Sequence, residues 1–218
     1  MESQIFTLVV VESPSKAEKL KLILGAGYKI LCSYGHIRDL PKKTLGYSEH
    51  DYTPEYVVTN HHVLRGLKEA AVRAKNVVLA TNSSREGEFI AWHLKEVLGL
   101  VNPKRVDISE ITKTSVLQAL DNPRSINLNL VRAHEARRIL DRMIGYKLKA
   151  LEQNLASIYP AEIRMRSQSY GIENEDASLW KQDKLELLRE IEAELDLIAH
   201  GKADFQAVVA NYDYLLKA

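Results

Sequence analysis

Hydrophobic positions change their period once along this chain. Up to about residue 108, short apolar runs alternate with helical patterns; from Leu128 onward the spacing is helical almost throughout. Phe6-Thr7-Leu8-Val9-Val10-Val11 is a continuous β-branched run ended by Glu12-Ser13-Pro14, as expected of a parallel strand buried on both faces. Ser13 then offers an N-cap and Pro14 fits the first position of a helix. Tyr28 to Tyr34 and Asn76 to Ala80 read as a second and a third strand, with a helix from about His62 to Ala74 between them. Asn82-Ser83-Ser84 is a capping turn for a helix from Arg85 to Leu98, and Arg105 to Ile108 reads as a short fourth strand. Strands alternating with helices predict an α/β fold with a parallel sheet.

Leu130, Val131, Ala133, Ala136, Ile139, Leu140, Met143 and Ile144 recur at helical spacing, predicting one helix of about five turns. Residues 158–176 contain Pro160 and Gly171 and read as an irregular connection. Leu185, Leu188, Ile191, Leu195 and Ile198 then mark an amphipathic helix from Lys184 to Ala199. The pattern divides the chain into an α/β domain over 1–125 and a mainly helical part over 126–218.

Charge sharpens that division. Residues 1–150 hold 23 Lys and Arg against 16 Asp and Glu, whereas residues 151–218 hold 7 against 13, and the net charge of +1 conceals the split. A basic front part suits a phosphate-bearing partner; the acidic tail reads as a solvated helical face. Cys32 is the single cysteine, which excludes an intrachain disulfide and a CxxC zinc site. The apolar run after Glu2 is too short for a signal peptide and no segment is long enough to span a bilayer, so the expectation is a cytoplasmic protein without membrane contact.

Four blocks, in order, resemble the type IA DNA topoisomerases with their N-terminal Toprim domain. They are Val9-Val10-Val11-Glu12-Ser13-Pro14-Ser15-Lys16-Ala17, Ser33-Tyr34-Gly35-His36-Ile37-Arg38-Asp39-Leu40-Pro41, the stretch from Thr81 to His93, and Ala136-Arg137-Arg138-Ile139-Leu140-Asp141-Arg142-Met143-Ile144-Gly145-Tyr146. The resemblance implies a Toprim-like (Rossmann-like) parallel sheet flanked by helices, followed by the start of a helical core. It also makes Asn82 and Ser84 conspicuous, because they stand where the family's acidic motif has aspartates, while Glu86 and Glu88 keep their charge. Mg²⁺ prefers hard anionic oxygens, so a site left with Glu12, Glu86 and Glu88 is expected to hold it weakly.

What the resemblance implies about roles follows residue by residue. Glu12, at the C-terminal edge of the first strand, would face the crevice where such sheets bind ligands and act in acid–base steps with Glu86 and His36; a solvated strand-end Glu12 and a structural His36 stay open. Lys16, in the first turn of the next helix, would meet phosphate, as would Arg38, Arg85, Arg137 and Arg138, with Asp141 beside them. Arg137 and Asp141 are four apart on one helix, which suits an intrahelical ion pair equally well. None of the ten tyrosines stands in the family's Tyr-x-Arg-Thr-Asp nucleophile context, and the segment from Ile191 to Lys202 weakly resembles the closing helix of the topoisomerase core. The leading expectation is a topoisomerase-related binder of single-stranded DNA, unable to pass strands by itself, which grips DNA or docks on a complete topoisomerase. The alternative is a metal-dependent subunit of a split topoisomerase, whose tyrosine lies on a second chain, or a Toprim nuclease.

Overall fold

A computed structural model describes residues 5–108, 110–158 and 175–212, with side chains described outside 147–158 and 175–185. Its centre is a four-stranded parallel sheet in the order β2 (Tyr28–Cys32), β1 (Thr7–Val11), β5 (Asn76–Leu79) and β6 (Lys104–Arg105). Strand β1 pairs on one side with β2, Val9 opposite Ile30, and on the other with β5, Val9 opposite Val78. Beyond β5 lies β6. The run Leu8 to Val11 is wholly buried because helices cover both faces of the sheet.

On one face, Val9, Val11 and Val78 pack against α1 (Pro14–Leu24) and α4 (Lys113–Asp121) through Ala17, Leu20 and Val116. On the other, Leu8, Val10 and Leu79 meet α2 (His61–Arg73) and α3 (Arg85–Leu98) through Leu64, Leu67, Ile90 and Leu94. The order also creates a switch point: the chain leaves β1 towards β2 on one side and later returns as β5 on the other. Parallel sheets bind ligands at the carboxyl ends of such a pair.

The caps work as the sequence predicts. Ser13 Oγ accepts from Lys16 N at 3.4 Å with Pro14 at the first position, and Ser84 Oγ accepts from Gly87 N at 3.0 Å to start α3. Strand β2 ends at Cys32, two residues earlier than its apolar pattern suggested, because Tyr34 adopts a left-handed backbone with φ 57° and turns the chain out of the sheet. Helix α4, capped by Thr112, and the antiparallel pair β3 (Arg38–Asp39) and β4 (Val57–Val58) were not legible in the periodicity. Both strands of that pair are two residues long, too short to carry an alternation.

The helical part contains α5 (Leu128–Ile158), α6 (Glu175–Ala199) and α7 (Phe205–Asn211). At 31 residues α5 is well beyond the expected five turns, since helical backbone continues past the last regular apolar position, Ile144. Ala136, Ile139, Leu140 and Met143 of α5 pack on Ile191, Leu195 and Ile198 of α6 and on Val208 and Val209 of α7. Leu40, Tyr47 and Tyr52, which precede β4 in the chain, join this helical core. The α/β part is thereby clamped onto the helices through residues 40–52 as well as through α3 and α5.

Candidate functional site

The switch point brings together the chain immediately after β1 and after β5. Glu12 follows β1 and Asn82 lies just beyond β5, and Lys16 from the first turn of α1 reaches both. Its ammonium lies 2.9 Å from Glu12 Oε1 and donates to Asn82 Oδ1 at 2.8 Å. Lys16 is 9% exposed and Glu12 12%, so this is a shielded pair in which charge interactions exceed those of a surface pair. Glu12 Oε2 is buried without a hydrogen-bond partner, leaving an acceptor in the crevice.

The turn beneath is tightly built. Arg105, fully buried, donates from Nη2 to Asn82 O at 2.7 Å, and Thr81 Oγ1 donates to Gly87 O at 2.6 Å. Gly87 is obligatory: a Cβ there would stand 1.9 Å from Asn82 O.

Glu88 is not part of this crevice. It is fully buried beneath it, where Arg105 Nε donates to Oε1 at 2.9 Å and the Asn127 amide to Oε2 at 2.8 Å, with Arg124 Nη1 also within reach of Oε2. With both oxygens engaged by arginines and a backbone amide, Glu88 is a structural anchor for β6 and residues 124–127 rather than the cation ligand expected from the acidic motif. Removing one member of such a buried pair leaves the other charge unpaired, typically costing about 3–5 kcal/mol.

Glu86 projects the other way. It is 61% exposed, and His36 Nε2 lies 3.2 Å from its Oε1. The His36 ring stacks on His134 of α5, with centroids 5.6 Å apart, and meets the edge of Phe89. Burial, then the neighbouring His36 and Arg138, push His134 down to about 4, so it is neutral near pH 7. Behind this pair Arg38 donates from Nε to Nδ1 of the buried His93 at 2.7 Å, and its guanidinium lies over the rings of Tyr56 and Trp92 at 5.4 and 5.3 Å. Burial and the Arg38 charge hold His93 down at about 2. Arg38 is thus half-buried and tied into an aromatic cluster.

The other arginines singled out in the sequence, Arg85, Arg137 and Arg138, are paired with carboxylates. Arg138 donates from Nη2 to both oxygens of Asp39, at 2.8 and 2.6 Å, and these bonds outweigh burial to hold Asp39 below the usual carboxylate range. Arg137 Nε contacts Asp141 at 2.9 Å, as its spacing suggested. Glu192 of α6 then joins two arginines from separate elements. One of its oxygens accepts from Arg85 Nη2 at 2.7 Å and the other from Arg137 Nη1. Asp196, one turn on, lies 3.7 Å from Arg85.

Glu192, Arg105 and His134 are the members that sequence reasoning missed. The i,i+4 spacing of Glu192 and Asp196 on one face of an amphipathic helix was visible; that this face would meet Arg85, 107 residues earlier, was not. A cavity of about 280 Å³ lies close by, lined by Lys42, Arg138, Asp141, Arg142, Gly145 and Tyr146.

Among the described residues no three of His, Cys, Asp and Glu gather as a metal site, so Glu12, Glu86 and Glu88 are not assembled into the expected trio. Ser84 spends its hydroxyl on the α3 cap, and the Lys16 ammonium already supplies positive charge between Glu12 and Asn82.

The parallel sheet, with Glu12 at its switch point and α3 springing from the Asn82–Ser84 turn, matches one domain family. The Toprim domain model matches residues 7–111, and this part of the chain is a Toprim domain. The chain is related to the type IA DNA topoisomerases. Over 141 residues it is 48% identical to a protein of Xylella fastidiosa (strain 9a5c) named "DNA topoisomerase I, plasmid", a match covering 64% of this chain and 21% of that one. Full-length topoisomerase I from Thermotoga maritima superimposes with a TM-score of 0.61 at 43% identity, over 65% of this chain and 25% of the other. The chain thus spans about a fifth to a quarter of the length of these relatives. No helix among the described residues is long and apolar enough to cross a membrane.

Proposed function

We propose that this protein binds single-stranded DNA across the crevice and the adjoining arginines, and that binding needs no divalent cation. The observation that carries this reading is the Lys16 ammonium, held between Glu12 and Asn82 at the switch point. A cation site of this fold would use carboxylates to hold a metal ion against phosphate; here a fixed ammonium supplies the charge itself. Arg85, Arg137 and Arg138 line a track in which Glu192, Asp141 and Asp39 hold the guanidinium groups that phosphate would take over, and the Lys42–Arg142–Tyr146 cavity offers charge and an aromatic ring side by side, the pairing that single-strand binders use. Arg38 supports the track from behind, by fixing the loop that carries His36 and Asp39.

Fluorescence anisotropy with a short labelled oligonucleotide tests the reading. Binding is expected to be weak, to fall steeply between low and high salt as counterions are released, and to be unchanged by EDTA. Lys16→Ala should weaken binding and reduce the salt slope by about one. Absence of binding at low ionic strength would remove the nucleic-acid reading.

The pair of the exposed Glu86 and the half-buried His36 favours a second reading. A His in contact with a carboxylate is a competent proton-transfer pair, which suits a nuclease or a subunit of a split topoisomerase acting with Glu12. Plasmid nicking or relaxation by this chain, with Mg²⁺ and with a partner carrying a tyrosine domain, would move that reading ahead. By itself the chain is expected neither to relax supercoiled plasmid nor to form a covalent adduct with DNA.

A further inference from the structure

A second cavity lies away from the arginines, over the open edge of the sheet. Strand β2 is the outermost strand on that side, and α1 and α2, which cover opposite faces of the sheet, both reach its edge. The cavity measures about 290 Å³; its walls include Pro14, Ile30, Leu31 and Val63, together with Tyr34, His62 and the Glu18–Lys21 ion pair.

Tyr34 is the unusual member. It is 64% exposed, and it holds φ 57° although it has a Cβ. Bulky residues rarely adopt this left-handed conformation, which is strained and persists only where the surroundings over-determine it. They do so here. The Tyr34 amide donates to Cys32 Sγ at 3.2 Å and Ser33 Oγ donates to Gly35 O at 2.9 Å. The flanking amides of Ser33 and Gly35 donate to Val11 O at 2.8 Å and to Glu12 O at 2.9 Å. The chain thus anchors a strained tyrosine to the backbone of the crevice's own carboxylate while leaving most of its ring in solvent.

From this geometry we infer that Tyr34 and the β2-edge cavity form a subsite for an unpaired nucleobase, next to the Lys16 crevice. The inference rests on the nucleic-acid reading above and extends it from phosphate contact to base contact. A strand whose phosphate meets Lys16 needs somewhere to lay the adjoining base. An exposed aromatic ring beside an apolar floor provides a stacking platform, and His62, which also lines the cavity, suits a base edge or the next phosphate. The floor of Ile30, Leu31 and Val63 carries no side-chain donors, so any choice between bases falls to Glu18, Lys21 and His62 on the walls.

The test uses the full chain and two labelled probes, oligothymidylate and the same oligonucleotide with abasic residues. Tyr34→Gly removes the ring at a position where glycine adopts φ 57° without strain, so its melting temperature should hold or rise. Its affinity for oligothymidylate should fall roughly five- to a hundredfold, as expected for one lost base–aromatic stack, with little change for the abasic probe. Tyr34→Trp should preserve or improve oligothymidylate binding. Equal affinity of Tyr34→Gly and the unmodified chain for oligothymidylate, or equal losses on both probes, would overturn the subsite while leaving the phosphate reading intact; a cavity that instead took a peptide along β2 would give that first outcome. If the unmodified chain bound neither probe, the nucleic-acid reading would fall first and the subsite with it.

Discussion

Replacing Asn82 and Ser84 together by aspartate would place two further carboxylates beside Glu12 and the Lys16 ammonium. The fold should tolerate both, because aspartate caps a helix as well as serine does at position 84. The aspartate at 82 would gain an ion pair with Lys16, 2.8 Å from the present amide oxygen, whereas the second has no such partner. Mg²⁺ affinity should therefore rise, and stability without the ion should fall from carboxylate repulsion. Isothermal titration with Mg²⁺ and melting curves with and without it check both signs. Equal Mg²⁺ affinity of the unmodified chain and the double variant would mean that the crevice holds metal as it stands.

At the scale of elements, α6 is more than a lid on the helical core. Its apolar face, Ile191 and Leu195, packs on α5, while the adjoining face lays Glu192 across Arg85 and Arg137. A carboxylate spanning two guanidinium groups uses the geometry that a phosphate would use, so DNA reaching these arginines must displace it. Glu192→Gln should raise affinity for a single-stranded oligonucleotide several-fold and steepen its salt dependence, since two cations lose an internal competitor. The stability cost should be small, roughly 1 kcal/mol or less, because Glu192 is 44% exposed and screened by solvent. Unchanged affinity in anisotropy would show that Arg85 and Arg137 serve only to dock α6.

For the molecule as a whole, the interface of α3, α5 and the loop after β2 makes stability depend on pH. His134 and His93 are held near 4 and 2, mainly by burial, with His36, Arg38 and Arg138 disfavouring a further positive charge. In the unfolded chain both would titrate near the usual value of about 6.5. Below that pH the unfolded state binds more protons, so their contribution is fully present above about pH 6.5 and is lost progressively as pH falls. Melting temperature should drop between pH 7 and 4, and His134→Gln should flatten the upper part of that drop. A flat profile over that range would contradict the neutral, buried placement of these rings.

The sequence by itself determined the sheet, because a β-branched run between turn signals and helical spacing after capping residues are local statements about backbone and burial. β1, α1, β5 and α3 stand essentially where periodicity put them, and Ser13 and Ser84 cap as their side chains dictate. The motif blocks likewise led to Glu12, Lys16, Asn82 and His36, which share one edge of the sheet. Tertiary structure alone decided which charges meet. Glu86 and Glu88 are two apart on a helix, so they point in different directions, and only the packing of β6 and Arg124 shows that Glu88 is the buried one. Periodicity marked the acidic face of α6 as solvated, yet it reaches Arg85 across 107 residues. Local pattern tells whether a side chain is apolar enough to be buried; which partner neutralises a charge is a matter of distance in space, which one-dimensional spacing does not carry.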